Sequence, residues 1–149
     1  MNIGSGNGYP QSSLSNFSPH QFFVDGVKCN SMEGFLQSLK FSNPDMQRYV
    51  CTLVGKGAKF KGKRKKWWKT QTLYWKGIEI DRHSQEYQDL LWKAFSSLAE
   101  NESFAKALLA TGKARLRHTI GKSDPTRTVL TEGEFCAILS KIRNNLQRI

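Results

Sequence analysis

Cysteine is scarce in this chain: Cys29, Cys51 and Cys136 are the only three among 149 residues, odd in number and far apart. They form no CxxC pair and no disulfide ladder, which excludes a disulfide-stapled secreted scaffold and predicts reduced thiols in a cytoplasmic setting. No run approaches the ~18–20 apolar residues of a membrane span, and the opening MNIGSGNGYP lacks the basic-then-apolar order of a signal sequence. A cytoplasmic protein without a membrane partner is expected. Histidine is equally sparse, and His20, His83 and His118 have no ligand-like spacing to one another or to the cysteines, so no metal is expected. The early GSGNG has neither a preceding strand nor a phosphate-loop lysine, and no GxSxG nucleophile signature occurs; no cofactor is expected.

Acidic residues are also few. Against 12 Asp plus Glu stand 23 Lys plus Arg, a net charge of +11, with a pI near 9.8. Such an excess attracts polyanions, most often nucleic acid or phosphorylated metabolites, and says nothing about fold.

With 38% hydrophobic residues the chain can bury one core, and a single domain over residues 1–149 is expected. Residues 1–13, rich in Gly, Asn and Ser, read as a loop or mobile arm. Phe22–Val24 and Val27 flank Asp25-Gly26 and predict two short strands joined by a tight turn. Asn30 is positioned to cap a helix with Glu33 completing a capping box, and Met32, Phe35, Leu36 and Leu39 form its buried stripe to about Phe41. Asn43-Pro44 opens a second helix, for which Gly55 is the expected terminator. Gly57 and Gly62 argue against a regular helix in the lysine-rich stretch 56–69, which is expected to be a flexible loop. TLYWKGIEI predicts a strand pair broken at Gly77. A long helix from Ser84 to Leu98, a shorter one between Asn101 and Gly112, a strand at ARLRHTI and a final helix capped by Thr131 and Glu134 complete the pattern. The expected fold class is α+β, mainly helical: five helices with a few short strands.

Chemistry concentrates on the first of these helices. Glu33, Gln37 and Lys40 are spaced i, i+4 and i+7 and share one face, at the margin of the apolar stripe. A partly buried lysine loses its proton more easily and becomes a nucleophile toward a carbonyl-like carbon, and a carboxylate beside it can shuttle protons. The same spacing also suits a helix cap at Glu33 and a last-turn charge at Lys40.

The stretch LSNFSPHQFFVDGVKCNSMEGFLQSLKF resembles the opening signature of the NADAR superfamily, the YbiA-like N-glycosidases: Ser15, Asn16 and Phe17, then Asp25-Gly26, then Glu33, Gln37, Lys40 and Phe41 in the order and spacing of an E-x-x-x-Q-x-x-K-F motif. Arg64 and Trp67 resemble an R-x-x-W element, and LLATGKARLRHT (108–119) a later stretch of the family. The sequence departs from the pattern where the family often has a histidine after the acid and this chain has Gly34. A family acid has no match near Arg117 and His118, and a D-x-x-W-G element is reduced to Asp124. The resemblance implies a YbiA-like domain that cleaves an N-glycosidic bond between ribose and a base or amine. Glu33 and Lys40 are then the expected catalytic pair. Ser15, Asn16, Phe17, Gln37, Arg64, Trp67, His118 and Asp124 are the expected ligand-binding residues, with Asn16 and Gln37 on ribose hydroxyls and Phe17 or Trp67 stacked on a ring.

Lys56, Lys59, Lys61, Lys63, Lys65 and Lys66, interleaved with Phe60, Trp67 and Trp68, suit a groove that binds phosphates and stacks bases. This favours removal of ADP-ribose from modified guanine in nucleic acid as the expected activity. A small ribosylated metabolite such as a riboflavin-pathway intermediate is the alternative substrate. A non-catalytic module that binds ADP-ribose or nucleic acid is the rival from another class.

Overall fold

Short polar side chains set most helix starts in the computed structural model, which describes residues 1–149. Ser31 caps α1 (Met32–Ser38) by accepting from Gly34 N, and Asn43 caps α2 (Pro44–Cys51) by accepting from the Asp45 and Met46 amides. Ser84 and Asn101 do the same for α4 (Gln85–Leu98) and α5 (Glu102–Ala110). The box predicted at Thr131 and Glu134 is present in full at α6 (Glu132–Gln147). Each such cap contributes about 1 kcal/mol. Two hairpins lie between the helices. Strands β1 (Phe22–Val24) and β2 (Val27–Cys29) turn on Asp25 and Gly26, and β3 (Thr72–Trp75) and β4 (Ile78–Asp81) on Lys76 and Gly77. All four turn residues have positive φ, between 48° and 82°, as a two-residue turn matched to strand twist requires.

The core joins these parts. The Phe35 ring of α1 meets the Trp75 indole of β3 edge to face at 5.1 Å, and Phe95 of α4 packs on Phe135 of α6 at 5.8 Å. Gln47, buried on α2, donates to the carbonyls of Ser38 and Tyr74 and accepts from Lys76 N, which locks α1, α2 and the second hairpin together. Trp75 Nε1 donates to Asp25 Oδ2 at 2.9 Å and fastens one hairpin to the other. Arg82, 1% exposed, grips Glu134 with both terminal nitrogens (3.1 and 2.7 Å) and donates Nε–H to the Thr128 carbonyl. This buried, forked pair fixes the segment 128–130 against α6. The result is an α+β, mainly helical fold with two small antiparallel sheets, and no helix is long and apolar enough to cross a membrane.

Several local expectations are corrected. Ser31 rather than Asn30 is the cap of α1, because the Asn30 side chain is used to donate to the Thr52 carbonyl; Glu33 closes no capping box and instead bonds Gln37. The helix stops at Ser38, so Lys40 and Phe41 lie just beyond it. Gly55 does not end α2, which stops at Cys51. It opens α3 (Gly55–Lys63), a sixth helix in the stretch expected to be a flexible loop, followed by a 3-10 turn at Trp67–Lys69. Tertiary packing outweighs the low helix propensity of the glycines here: Ala58 and Gly62, one turn apart, form the buried face, and the lysines project outward. ARLRHTI forms no strand but a single parallel bridge, Arg117 to Asn2. The same bridge holds the supposed mobile arm, whose Ile3 is fully buried in the core.

Candidate functional site

Helix α1 carries its polar stripe into a cleft of about 470 Å³, half open to solvent. The Ser15–Phe17 segment forms one wall; the Glu33 amide donates to the Asn16 carbonyl at 2.9 Å, which pins that wall to the start of α1. Opposite come Lys59 and Lys63 of α3, then Lys65, Trp67 and Trp68. His118, Ile120, Gly121 and Lys122, with Arg127 to Leu130, close the rim. Six cations and one carboxylate, Glu33, line the space.

Glu33 sits largely buried, with Oε1 accepting from Gln37 Nε2 at 3.1 Å. Burial pushes its carboxyl above the ordinary value; the bond from Gln37 and the charges of Lys40, Lys59 and His118 offset this only in part. Lys40 makes no salt bridge. Burial brings its ammonium down to about 8, against a smaller opposing pull from Glu33, and Lys122 and Lys59 lower it further. Lys40 is therefore readier than an ordinary lysine to give up its proton near neutral pH. A carboxyl inclined to keep its proton and an amine inclined to lose its own face one cavity, the pattern that assigns acid and nucleophile roles.

Gln37 is held from behind by α3. A Cβ on Gly62 would fall 1.8 Å from Gln37 Oε1, so only glycine lets the two helices close at this point. Gly34, where the NADAR pattern often has an imidazole, is constrained as well: a Cβ there would lie 2.6 Å from the Leu53 carbonyl. The imidazole that does line the cleft is His118, whose Nδ1 lies 2.9 Å from the Ile3 carbonyl.

Of the residues singled out from the sequence, Ser15, Asn16, Phe17, Glu33, Gln37, Lys40, Trp67 and His118 line this cleft, as do Lys59, Lys63 and Lys65. Arg64 lies outside it, over the Phe60 ring, and Lys56, Lys61 and Lys66 are exposed away from it, Lys61 over Tyr49. Asp124 borders an adjacent shallow depression, its Oδ1 accepting from the Thr126 amide and hydroxyl. Lys122, Arg127 and the 128–130 segment were not singled out. They lie between the expected strand at ARLRHTI and the last helix, and long-range bonds hold them at the cleft: Arg82 Nε to the Thr128 carbonyl, Tyr87 OH to the Val129 carbonyl and the Glu132 amide to the Lys122 carbonyl. Trp68, 43% exposed, has Lys69 and Arg127 over its ring at 5.8 and 6.0 Å.

Residues 8–144 match the family described as Bacteriophage protein GP30.3. The chain is 33% identical over 151 residues, 98% of each chain, to an uncharacterized 17.1 kDa protein in the Gp30-rIII intergenic region of Enterobacteria phage T4. Its fold is similar to the NMR structure of the E. coli protein YbiA, with a TM-score of 0.66 and 17% identity over 99% of this chain and 84% of that one.

Proposed function

The chain belongs to the bacteriophage GP30.3 family and has a YbiA-like fold, and from that premise we propose that it is an N-glycosidase cleaving the bond between a ribose or ADP-ribose and a base, with ADP-ribosylated guanine in nucleic acid as the substrate. One observation carries the reading: Glu33 and Lys40, shifted in opposite directions by burial, line one cation-rimmed cleft. The neutral fraction of Lys40 Nζ attacks C1′, and the C1′–N pair leaves with the base, which takes a proton from the Glu33 carboxyl. The sugar ring opens to an imine on Nζ, and water then releases the ribosyl group. Asn16 supplies hydrogen bonds for ribose hydroxyls, and Phe17 and Trp67 offer ring faces; Gln37, expected on the ribose, instead holds the Glu33 carboxyl, because its Nε2 bonds Glu33 and its Oε1 is buried against Gly62.

Three features favour a polymer over a free nucleotide. Lys59, Lys63, Lys65, Lys122 and Arg127 exceed what one pyrophosphate requires. Lys65 also lines a neighbouring groove with Phe41 and Tyr49, and Trp68, Lys122 and Arg127 line a second one. A strand that runs from the cleft into either groove thus meets further cations and exposed rings, Tyr49 or Trp68. The three thiols are all free, in keeping with a cytoplasmic setting.

A second reading rests on Gly34: with no imidazole beside the acid, the chain is a module that binds ADP-ribose without turnover. Incubation with a panel of ribosylated substrates, followed by mass spectrometry, separates the two. Released ADP-ribose from an ADP-ribosyl-guanine oligonucleotide is the expected product; a bound but intact substrate establishes the module.

A further inference from the structure

His118 enters the cleft from the far end of the chain, and its ring is fixed rather than free. Its flanking residues are tied to the chain start: Ile3 N donates to the Arg117 carbonyl at 2.7 Å, and Asn2 and Thr119 exchange two hydrogen bonds at 3.0 Å. The ring lies edge-on to Phe135 at 5.2 Å. Gly121 leaves room for it, since a Cβ there would come within 2.6 Å of His118 Cδ2. His118 Nδ1 bonds the Ile3 carbonyl at 2.9 Å, and a carbonyl oxygen only accepts, so Nδ1 carries the hydrogen. In the neutral ring this leaves Nε2 with a lone pair. Nε2 has no protein partner and is not sealed off from solvent, and the residue lines the cleft that holds Glu33 and Lys40. The imidazole is near enough for its charge to act on the Glu33 carboxyl.

A base of fixed tautomer, held from behind by a backbone carbonyl and open in front toward a cavity, is the arrangement that orients an imidazole for proton abstraction. Resting on the N-glycosidase reading above, we propose that His118 Nε2 is the general base for the water that attacks C1′. Water oxygen bonds C1′ of the protonated imine on Lys40, the C=N pair moves onto Nζ, and the water proton passes to Nε2. The imidazolium then returns that proton to Nζ as the C1′–Nζ bond breaks, and the hydroxyl proton passes to the again neutral Nε2, and from there to solvent, as the sugar carbonyl forms. Glu33 is thereby confined to the leaving base, and the histidine missing beside the acid in sequence is supplied in space by residue 118.

The test uses the full chain and an ADP-ribosyl-guanine oligonucleotide. His118→Asn keeps an amide donor for the Ile3 carbonyl and removes the base. Its kcat is expected to fall about 100-fold or more with KM within about threefold. His118→Ala is expected to regain turnover on addition of free imidazole, which a merely structural role would not permit. Nitrogen-15 NMR of the labelled protein is expected to show neutral His118 as the Nδ1–H tautomer. Turnover of His118→Asn within threefold of wild type, absence of imidazole rescue, or an Nε2–H tautomer overturns the assignment while leaving the N-glycosidase reading intact. No turnover by the wild-type chain overturns both.

Discussion

Gly62 and Gln37 touch so closely that no side chain fits between them: a Cβ at residue 62 would stand 1.8 Å from the Gln37 amide oxygen. This contact seats the lysine-bearing α3 directly against the helix that presents Glu33 and leads into Lys40. It also leaves Gln37 Oε1 buried without a hydrogen-bond partner, while Nε2 remains on Glu33.

Gly62→Ala is accordingly expected to push α3 away from α1 or to turn Gln37 off Glu33. Overpacking of this kind costs about 1–3 kcal/mol, more than the helix propensity that alanine adds. Thermal unfolding should show a lower Tm. An unchanged Tm would mean that the two helices do not meet as described.

Glu33→Gln is expected to abolish ADP-ribose release from the modified oligonucleotide and to leave binding within a few-fold. The same change should stabilise the fold at neutral pH. Burial raises the Glu33 carboxyl above its usual value near 4.5, so the folded state binds this proton more tightly than the unfolded chain. Stability from that group is full below pH 4.5 and declines as the pH rises through the raised value. Denaturant melts at pH 4 and pH 7 check it: the variant gains at pH 7 and not at pH 4. Equal turnover by the variant removes Glu33 from the mechanism.

Lys40 gives the complementary case. Its folded value of about 8 lies below the ordinary 10.5, so the stability tied to this group is complete above pH 10.5 and lost as the pH falls through 8. Lys40→Met is expected to be more stable than wild type at pH 7 by about 2–3 kcal/mol, with the gap closing at high pH. Borohydride added during turnover should trap the ribosyl group on Lys40, and peptide mass spectrometry locates it. Turnover without an adduct excludes the imine and leaves Lys40 an electrostatic role.

Salt separates polymer from nucleotide. Affinity for a single-stranded oligonucleotide should fall steeply with ionic strength, and replacing Lys59 and Lys63 by alanine should lessen the log–log slope by about 0.7 per lysine that contacts a phosphate. Free ADP-ribose should show a much flatter dependence. Matching salt curves for the two ligands would tell against a strand that runs from the cleft into either groove.

The residues of α1 show what the sequence by itself determined. The spacing of Glu33 and Gln37 beside Phe35 and Leu36 is a local property of a 3.6-residue repeat, so their shared polar face follows from it directly; Lys40, just past the end of the helix, still lines the same cleft. The two Gly-containing turns, the Pro44 start and the Thr131–Glu134 box were likewise legible, because each depends on neighbours within four residues. Tertiary structure decided the rest. Residues 56–63 are helical only because Ala58 and Gly62 find α1 to pack against, a partner that no local pattern reveals. Ile3 is core and His118 is tethered because residues more than a hundred positions apart pair in space. Lys122 and Arg127 reach the cleft because the Glu132 amide holds the Lys122 carbonyl and the buried Arg82 holds the Thr128 carbonyl. Local periodicity fixes which side chains share a face; only the folded chain fixes what that face meets.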